Sequence, residues 1–412
     1  MTKIVDVKGI ELLDSRGNPT VCAQVTLADG SRGVAISPSG ASTGKYEAHE
    51  LRDNDPNRFG GKGVSKAIEN INHTLRDALI ETKTIEQNVI DEYMCEIDGT
   101  ENKENLGANA ILAVSMALSR AAAEHYKMPL YRYLGGAAEK KTPIPMMNIL
   151  NGGAHAANNV DIQEFMIVPK GAENIKEAVR WGSEIYHSLG KILTAKGLAS
   201  GVGDEGGFAP NIESDRAALS LICEAINDAG YDFDDVSLAL DVAASEWYHD
   251  DKYFMPKREI YAGSMDICST MGDLINDFPI ISIEDPLSED DWDGWCKITE
   301  MLSEKVLLVG DDLFVTNEKR LRKGISLKAG NSILIKPNQI GTVSETLNVI
   351  NLAKINGYTP IISHRSGESE DTFIADLSVA TCARYIKSGA PSRSDRTAKY
   401  NRLIAIEESL SK

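Results

Sequence analysis

Residues 332 to 341 read Ser-Ile-Leu-Ile-Lys-Pro-Asn-Gln-Ile-Gly, an apolar run that stops at Lys336. Pro337 cannot donate to a sheet ladder and so ends the strand. That puts Lys336 at the strand's carboxyl end, where α/β folds carry their chemistry. A partly desolvated ammonium has a lowered pKa and can act as a base. The ordinary reading of one such lysine is a side chain snorkelling from a sheet rim or held in an ion pair. What the neighbouring strands present decides between the two.

From residue 140 onward the chain repeats this pattern. Short apolar runs at 144–150, 165–169, 200–203 (the weakest), 237–242, 279–283, 306–309, 333–335 and 360–363 nearly all end in polar residues. Helical spacing fills most gaps, at 174–196, 215–229, 317–327 and 343–355. Eight runs with helices between them predict a TIM-like (β/α)8 barrel of the α/β class. One gap departs from this, since residues 151–164 are polar, Gly-rich and without helical periodicity. A parallel crossover needs a dozen or more residues and usually a helix. The first two runs are therefore expected to pair antiparallel, giving the barrel an irregular start.

Residues 1–135 have a different character. Stretches 4–13 and 21–27 alternate as strands do, separated by the turn residues Asp14 to Pro19, and a third strand follows near 32–36. The stretch from Ser37 to Gly44 is too rich in small residues to pack and is expected to be mobile. Helical spacing recurs at 67–79, 84–97 and 108–126, the last apolar on most faces and so expected to be buried. A smaller α+β capping domain over 1–135 thus precedes a barrel domain over 140–412, with the break in the Gly- and Lys-rich stretch 135–143.

Composition limits the function classes. A net charge of −18 repels nucleic acid and anionic lipid, so a polyanionic partner is not expected without intervening metal ions. No apolar stretch approaches the roughly 18 residues of a membrane span, and the N-terminus lacks the apolar core of a secretory signal. Cys22, Cys95, Cys223, Cys268, Cys296 and Cys382 are scattered without Cys-x-x-Cys pairs. They read as buried thiols in a reducing cytosol, which points to a cytoplasmic protein.

The run ends supply partners for Lys336. They present His155 in the first long loop, then Gln163 and Glu164, Asp204 and Glu205, Asp241, Glu284 and Asp285, Asp311 and Asp312, and finally His364-Arg365-Ser366. In a barrel these ends converge on one face. A single strand-terminal Asp is more often a helix cap than a ligand, but recurrence over successive runs points to a site. Asp241, Glu284 and one of Asp311 or Asp312 make an all-oxygen set suited to a hard cation such as Mg2+. The stretch Gly201-Val-Gly-Asp-Glu-Gly206 matches G-x-G-x-x-G formally. A dinucleotide site is rejected, because two acids would face the pyrophosphate; the glycines instead let the backbone turn Glu205 inward.

With these motifs in hand, the chain resembles the enolase family, of the bacterial type, essentially end to end. The residues that carry the resemblance are Asp14 to Thr20, Pro38 to Gly44, Asn151 to His155, Asn159 to Ile167, Gly203 to Pro210, Ala239 to Asp241, Ser282 to Pro286, Gly310 to Leu313 with Thr316-Asn317, and Ser363 to Glu368. The resemblance implies a capping domain and a barrel with a ββαα start. It also implies reversible dehydration of 2-phosphoglycerate to phosphoenolpyruvate, as in glycolysis and gluconeogenesis. A Lys or His base working with one or two Mg2+ ions is known of the enolase superfamily. Here it implies Lys336 as base, Glu205 as acid with Glu164 beside it, Asp241, Glu284 and Asp311 on a first Mg2+, and Ser42 on a second. Arg365 and Ser366 would hold the phosphate, with Gln163, His155, His364 and Lys387 completing the pocket. The family also implies a homo-oligomer, dimer or octamer. A racemase or cycloisomerase of the same superfamily is the nearest rival, and the Ser42 loop and the Arg365-Ser366 pair count against it. A scaffold or cell-surface receptor role, with plasminogen bound through a residue such as Lys412, is the reading from another class.

Overall fold

The computed structural model describes residues 2–40, 44–153, 156 and 158–411. The expectations for Ser42, His155 and Lys412 lie outside the described residues.

The chain opens with a three-stranded antiparallel sheet of β1 (Ile4–Leu13), β2 (Pro19–Leu27) and β3 (Arg32–Ile36), in that order. Asp14 turns β1 into β2, its Oδ1 accepting from the amides of Arg16 and Asn18 at 2.9 Å each. Helical turns α1 (Ser65–Asn70) and α2 (Arg76–Ile80) flank a π-helical segment, and α3 (Gln87–Asp98), α4 (Ala108–His125) and α5 (Leu130–Gly135) follow. The expected buried helix is α4, in which only Arg120, Glu124 and His125 of the eighteen residues reach the surface. Its small side chains let the sheet come close: a Cβ on Gly33 of β3 would stand 1.9 Å from the Ala117 carbonyl oxygen.

Eight strands close the barrel: β4 (Ile144–Asn151), β5 (Glu164–Val168), β6 (Ser237–Asp241), β10 (Ile280–Glu284), β11 (Leu307–Gly310), β12 (Ser332–Ile335), β13 (Thr359–Ser363) and β14 (Tyr385–Lys387). Strand β5 runs antiparallel to both neighbours, and every other pair is parallel. Helices α6 (Ile175–Ala195) and α7 (Asp215–Asp228) both fall between β5 and β6, which gives the ββαα start. The expected strand at 200–203 is not in the barrel. Val202 makes only an isolated bridge to Phe208 in the link between α6 and α7, where four glycines in seven residues cannot sustain a ladder. The eighth strand is instead Tyr385–Lys387, three residues too short to show a period.

A small sheet of β7 (Tyr248–His249), β8 (Lys252–Met255) and β9 (Ile260–Ala262) follows β6. Helices α8 (Ser264–Asp277), α9 (Trp292–Leu302), α10 (Glu318–Leu327), α11 (Pro337–Ile340), α12 (Val343–Ile355), α13 (Phe373–Ala380) and α14 (Ser394–Leu410) complete the outer layer. Met146, Met166, Ala239, Val309, Leu334, Ile361 and Tyr385 fill the barrel as a cluster of their own, so the barrel is a packed core and not a pore.

Buried and half-buried charges tie the cap to the barrel. Arg120 of α4 donates to both carboxylate oxygens of Asp371 at 2.6 and 2.7 Å, and Asp371 also accepts from the Ile36 amide at 2.9 Å. On α3, Asp91 caps α12 by accepting from the amide and hydroxyl of Ser344 at 2.9 and 2.7 Å. These joints seat the cap over the carboxyl ends of the barrel strands. No helix among the described residues is long and apolar enough to cross a membrane. The expectation of buried thiols holds for Cys22 and Cys268 alone; Cys95, Cys223 and Cys296 are half-buried, and Cys382, just past the end of α13, is exposed.

Candidate active site

The strand register brings the polar ends together. Asp241 pairs with Glu164 on one side and Glu284 on the other, while Ser363 pairs with Lys387. Glu164 begins its strand where the others end theirs, and β5's reversed direction is what puts it on the same rim. A cavity of about 360 Å³ opens there. Gln163, Glu164, Glu205, Asp241, Asp311, Lys336, His364, Arg365, Ser366 and Lys387 all line it. Glu284 is buried and not part of the wall.

Lys336 stands at the end of β12 as the sequence predicts, its amide bonded to the Thr316 hydroxyl at 2.9 Å, and Pro337 opens α11. Its ammonium touches Asp311 Oδ2. Burial favours the neutral amine, but the Asp311 carboxylate outweighs it, so Lys336 is held above its ordinary value as an ammonium. This corrects the lowered value expected from desolvation alone. On Asp311, burial is outweighed in turn by Lys336, and the carboxyl lies below its usual range. Its other oxygen accepts from Gln339 Nε2 at 2.9 Å.

A second cation gathers the remaining acids. Lys387 Nζ lies 2.8 Å from Asp241 Oδ2, 2.8 Å from Glu284 Oε2 and 3.3 Å from Glu164 Oε2. Three carboxylates around one ammonium leave excess negative charge in a buried space. Burial, the charge of Glu205 and that of Asp241 accordingly push Glu164 well above the usual carboxylate range against the pull of Lys387. Glu284 is pushed up in the same way, by burial and then Asp241. Glu205 reaches the cavity from the glycine-rich link, where Gly206 adopts φ +87°, and accepts from Asn148 Nδ2 at 3.1 Å.

Arg365 Nη1 donates to Glu47 Oε2 at 2.8 Å and to Asn338 Oδ1 at 3.3 Å. His364 is 2% exposed. Burial, opposed by Glu205 and reinforced by the Arg396 guanidinium, pushes its imidazole down to about 4. The folded state therefore binds this proton less readily than the unfolded chain, whose histidine titrates near 6.5. Stability should be fully present above about pH 6.5 and fall as pH drops toward 4, by on the order of 3 kcal/mol at most from this group. Urea unfolding across that window is expected to lose about one proton's worth of slope in His364→Gln; an unchanged slope contradicts the assignment.

Among the described residues Asp285, Asp311 and Asp312 each offer an oxygen within 4.8 Å of the others, and this group could hold a metal ion. It includes Asp311 and Asp312, the two alternatives read from the run ends, but neither Asp241 nor Glu284. Asp285 already has work in the fold, since its two oxygens accept from the amides of Asp311 and Asp312 at 3.0 and 2.7 Å. Burial and the neighbouring Asp311 charge push Asp312 up to about 8.

Some contributors have little or no signal in the sequence. Glu47 is one, a residue of the cap that meets Arg365 across the domain joint. Asn148 has a signal, being a lone amide inside the buried apolar run of β4.

An irregular barrel whose mouth holds two lysines among acids, under an α+β cap, defines a capped α/β-barrel protein with its polar site at the strand ends. The model of the enolase N-terminal domain matches residues 4–134, and that of the enolase C-terminal TIM barrel domain matches residues 139–412. The chain belongs to the enolase family. It is thus a lyase of the enolase superfamily with an enolase-type dehydratase function.

Proposed function

We propose that the chain catalyses the reversible dehydration of 2-phosphoglycerate to phosphoenolpyruvate. The observation that carries this reading is the shared cavity of Lys336, the Glu164–Glu205 pair and Arg365. It offers a base, an acid and an anion clamp within one small-molecule volume. Lys336 removes the C2 proton, and Glu205, with Glu164 beside it, protonates the departing C3 hydroxyl. Arg365 and Ser366 hold the phosphate, with Gln163, His155, His364 and Lys387 completing the pocket.

Asp241, Glu284 and Asp311 would hold one Mg2+ and Ser42 would contribute to a second. The residues fit such a group: the donors are all oxygen, and Glu284 Oε1 is buried with no hydrogen-bond partner. Bound there, divalent cations would offset the charge that builds on the substrate carboxylate when its α-proton leaves. Lys336 can accept a proton only when Asp311 no longer holds it as an ammonium. The acid is favoured by the opposite conditions, since burial and crowding of Glu164 with Glu205 keep one proton on the pair.

Incubation with 2-phosphoglycerate and Mg2+, followed at the ultraviolet absorbance of the enol phosphate, tests the reading. Absorbance should rise and should stop rising when EDTA is added. No rise, or one indifferent to EDTA, overturns it.

A further inference from the structure

Helix α14 sends two cations into the interior. Arg396 and Lys399 are three residues apart, so they share a face, and both are fully buried. Lys399 Nζ donates to Glu368 Oε2 at 2.8 Å and to the carbonyls of Ser369 and Asp395 at 2.6 and 2.7 Å. Glu368 in turn accepts from the Arg365 amide at 3.1 Å. Arg396 meets the same loop from beside it. Its Nη1 lies 2.5 Å from both His364 Nδ1 and the Arg365 carbonyl, and its Nη2 donates to the carbonyls of Ser366 and Asp204 at 2.7 and 3.3 Å. The room for this side chain comes from Gly389, where a Cβ would stand 2.9 Å from Arg396 Cδ.

A guanidinium has donors and no acceptor, and it does not lose its proton in a protein. His364 Nδ1 must therefore be the acceptor, which leaves the ring proton on Nε2. An imidazolium, or the other tautomer, would set two N–H groups against each other in a buried space. We propose that Arg396 is a positioning residue that fixes His364 as the neutral Nε2–H tautomer, with that proton directed at Glu205. His364 Nε2 stands 3.5 Å from Glu205 Oε2.

The chemical consequence concerns Glu205 and rests on the reading of Glu205 as the acid. An imidazole that presents N–H to the carboxyl can donate to it but cannot take its proton. Glu205 then cannot release its proton to the ring, only toward Glu164 and the cavity. The opposite tautomer would offer Glu205 a lone pair, and part of the population would hold the proton on the ring. The same guanidinium also holds the carbonyls of Arg365 and Ser366, so one residue sets both the tautomer and the loop that bears the anion-binding side chains.

Long-range 1H–15N correlation spectra of the full chain labelled with 15N-histidine read the tautomer directly, and His364→Gln identifies its resonances among the seven histidines. The expected wild-type pattern is the neutral Nε2–H form from about pH 6 to about pH 8. In Arg396→Met the pattern should become a mixture of tautomers or an imidazolium at the low end of that range. Turnover should fall about 10- to 100-fold in kcat. Arg396→Lys, which restores a donor, should recover part of both. A wild-type spectrum of the Nδ1–H form or of an imidazolium overturns the proposal even where Arg396→Met fails to fold. An unchanged tautomer in folded Arg396→Met overturns it equally. The spectrum needs no substrate, so its outcome is separable from that of the dehydratase reading.

Discussion

Lys336→Ala is expected to lower turnover of 2-phosphoglycerate by about 10³- to 10⁴-fold and to abolish exchange of the C2 proton with solvent. Glu205→Gln should behave differently, retaining measurable exchange while losing dehydration. The separation follows from position. Lys336 lies at the end of β12 and contacts Asp311, whereas Glu205 enters from the α6–α7 link and contacts Asn148 and His364. Two groups on separate elements can act in separate steps, one taking a proton from carbon and the other giving one to oxygen. Deuterium incorporation at C2, measured by NMR beside phosphoenolpyruvate formation, distinguishes them. Equal loss of both activities in both variants contradicts the division of roles.

Lys387→Met is expected to produce the largest loss of stability. The ammonium faces Asp241, Glu284 and Glu164 at the buried floor of the cavity, and those carboxylates together outweigh its own burial and hold it well above its ordinary value. Removing one partner of a buried ionic cluster costs about 3 to 5 kcal/mol, because the buried charges left behind lose their counter-ion. The sign of its pH dependence follows from the direction of the carboxyl shifts. Glu164 and Glu284 are raised, so the folded state binds their protons more tightly than the unfolded chain. Stability from these groups is present at low pH and is lost as pH rises above the usual carboxylate range. Without Lys387 the shift upward is greater. Urea unfolding in EDTA should show the variant's deficit shrinking from about pH 8 to about pH 5 as the carboxyls take up protons. A deficit that is equal at both pH values means that the lysine contributes packing and not charge.

Much of the barrel is legible in the sequence, for reasons that can be named. Ile333, Leu334 and Ile335 form a strand buried on both faces, so an unbroken apolar run ending at a proline identifies it. The antiparallel start is legible from what residues 151–164 lack, a helix long enough to carry the chain back across the barrel. The last strand is not legible, because Tyr385–Lys387 is held in place by its neighbours β13 and β4 and not by a pattern of its own. Residue types at the mouth are readable from the run ends, but their partners are not. Which carboxylate meets Lys336 and which meet Lys387 depends on distances across the barrel, and the raised pKa of Lys336 follows from that partner. Arg396 and Lys399 have the weakest signal of all. In a polar C-terminal stretch, two basic residues three apart look the same as a solvated face.

The reversed strand β5 also bears on how the barrel assembles. Chain reversal between β4 and β5 makes their ladder a local contact, closed by the short segment 152–163. Closure of the ring, by contrast, pairs β4 with β14, from opposite ends of the domain. Local contacts lose less chain entropy on forming than distant ones, and topologies rich in them fold faster. The hairpin thus gives a parallel barrel something it otherwise lacks, an edge that forms early and against which the remaining strands can be added.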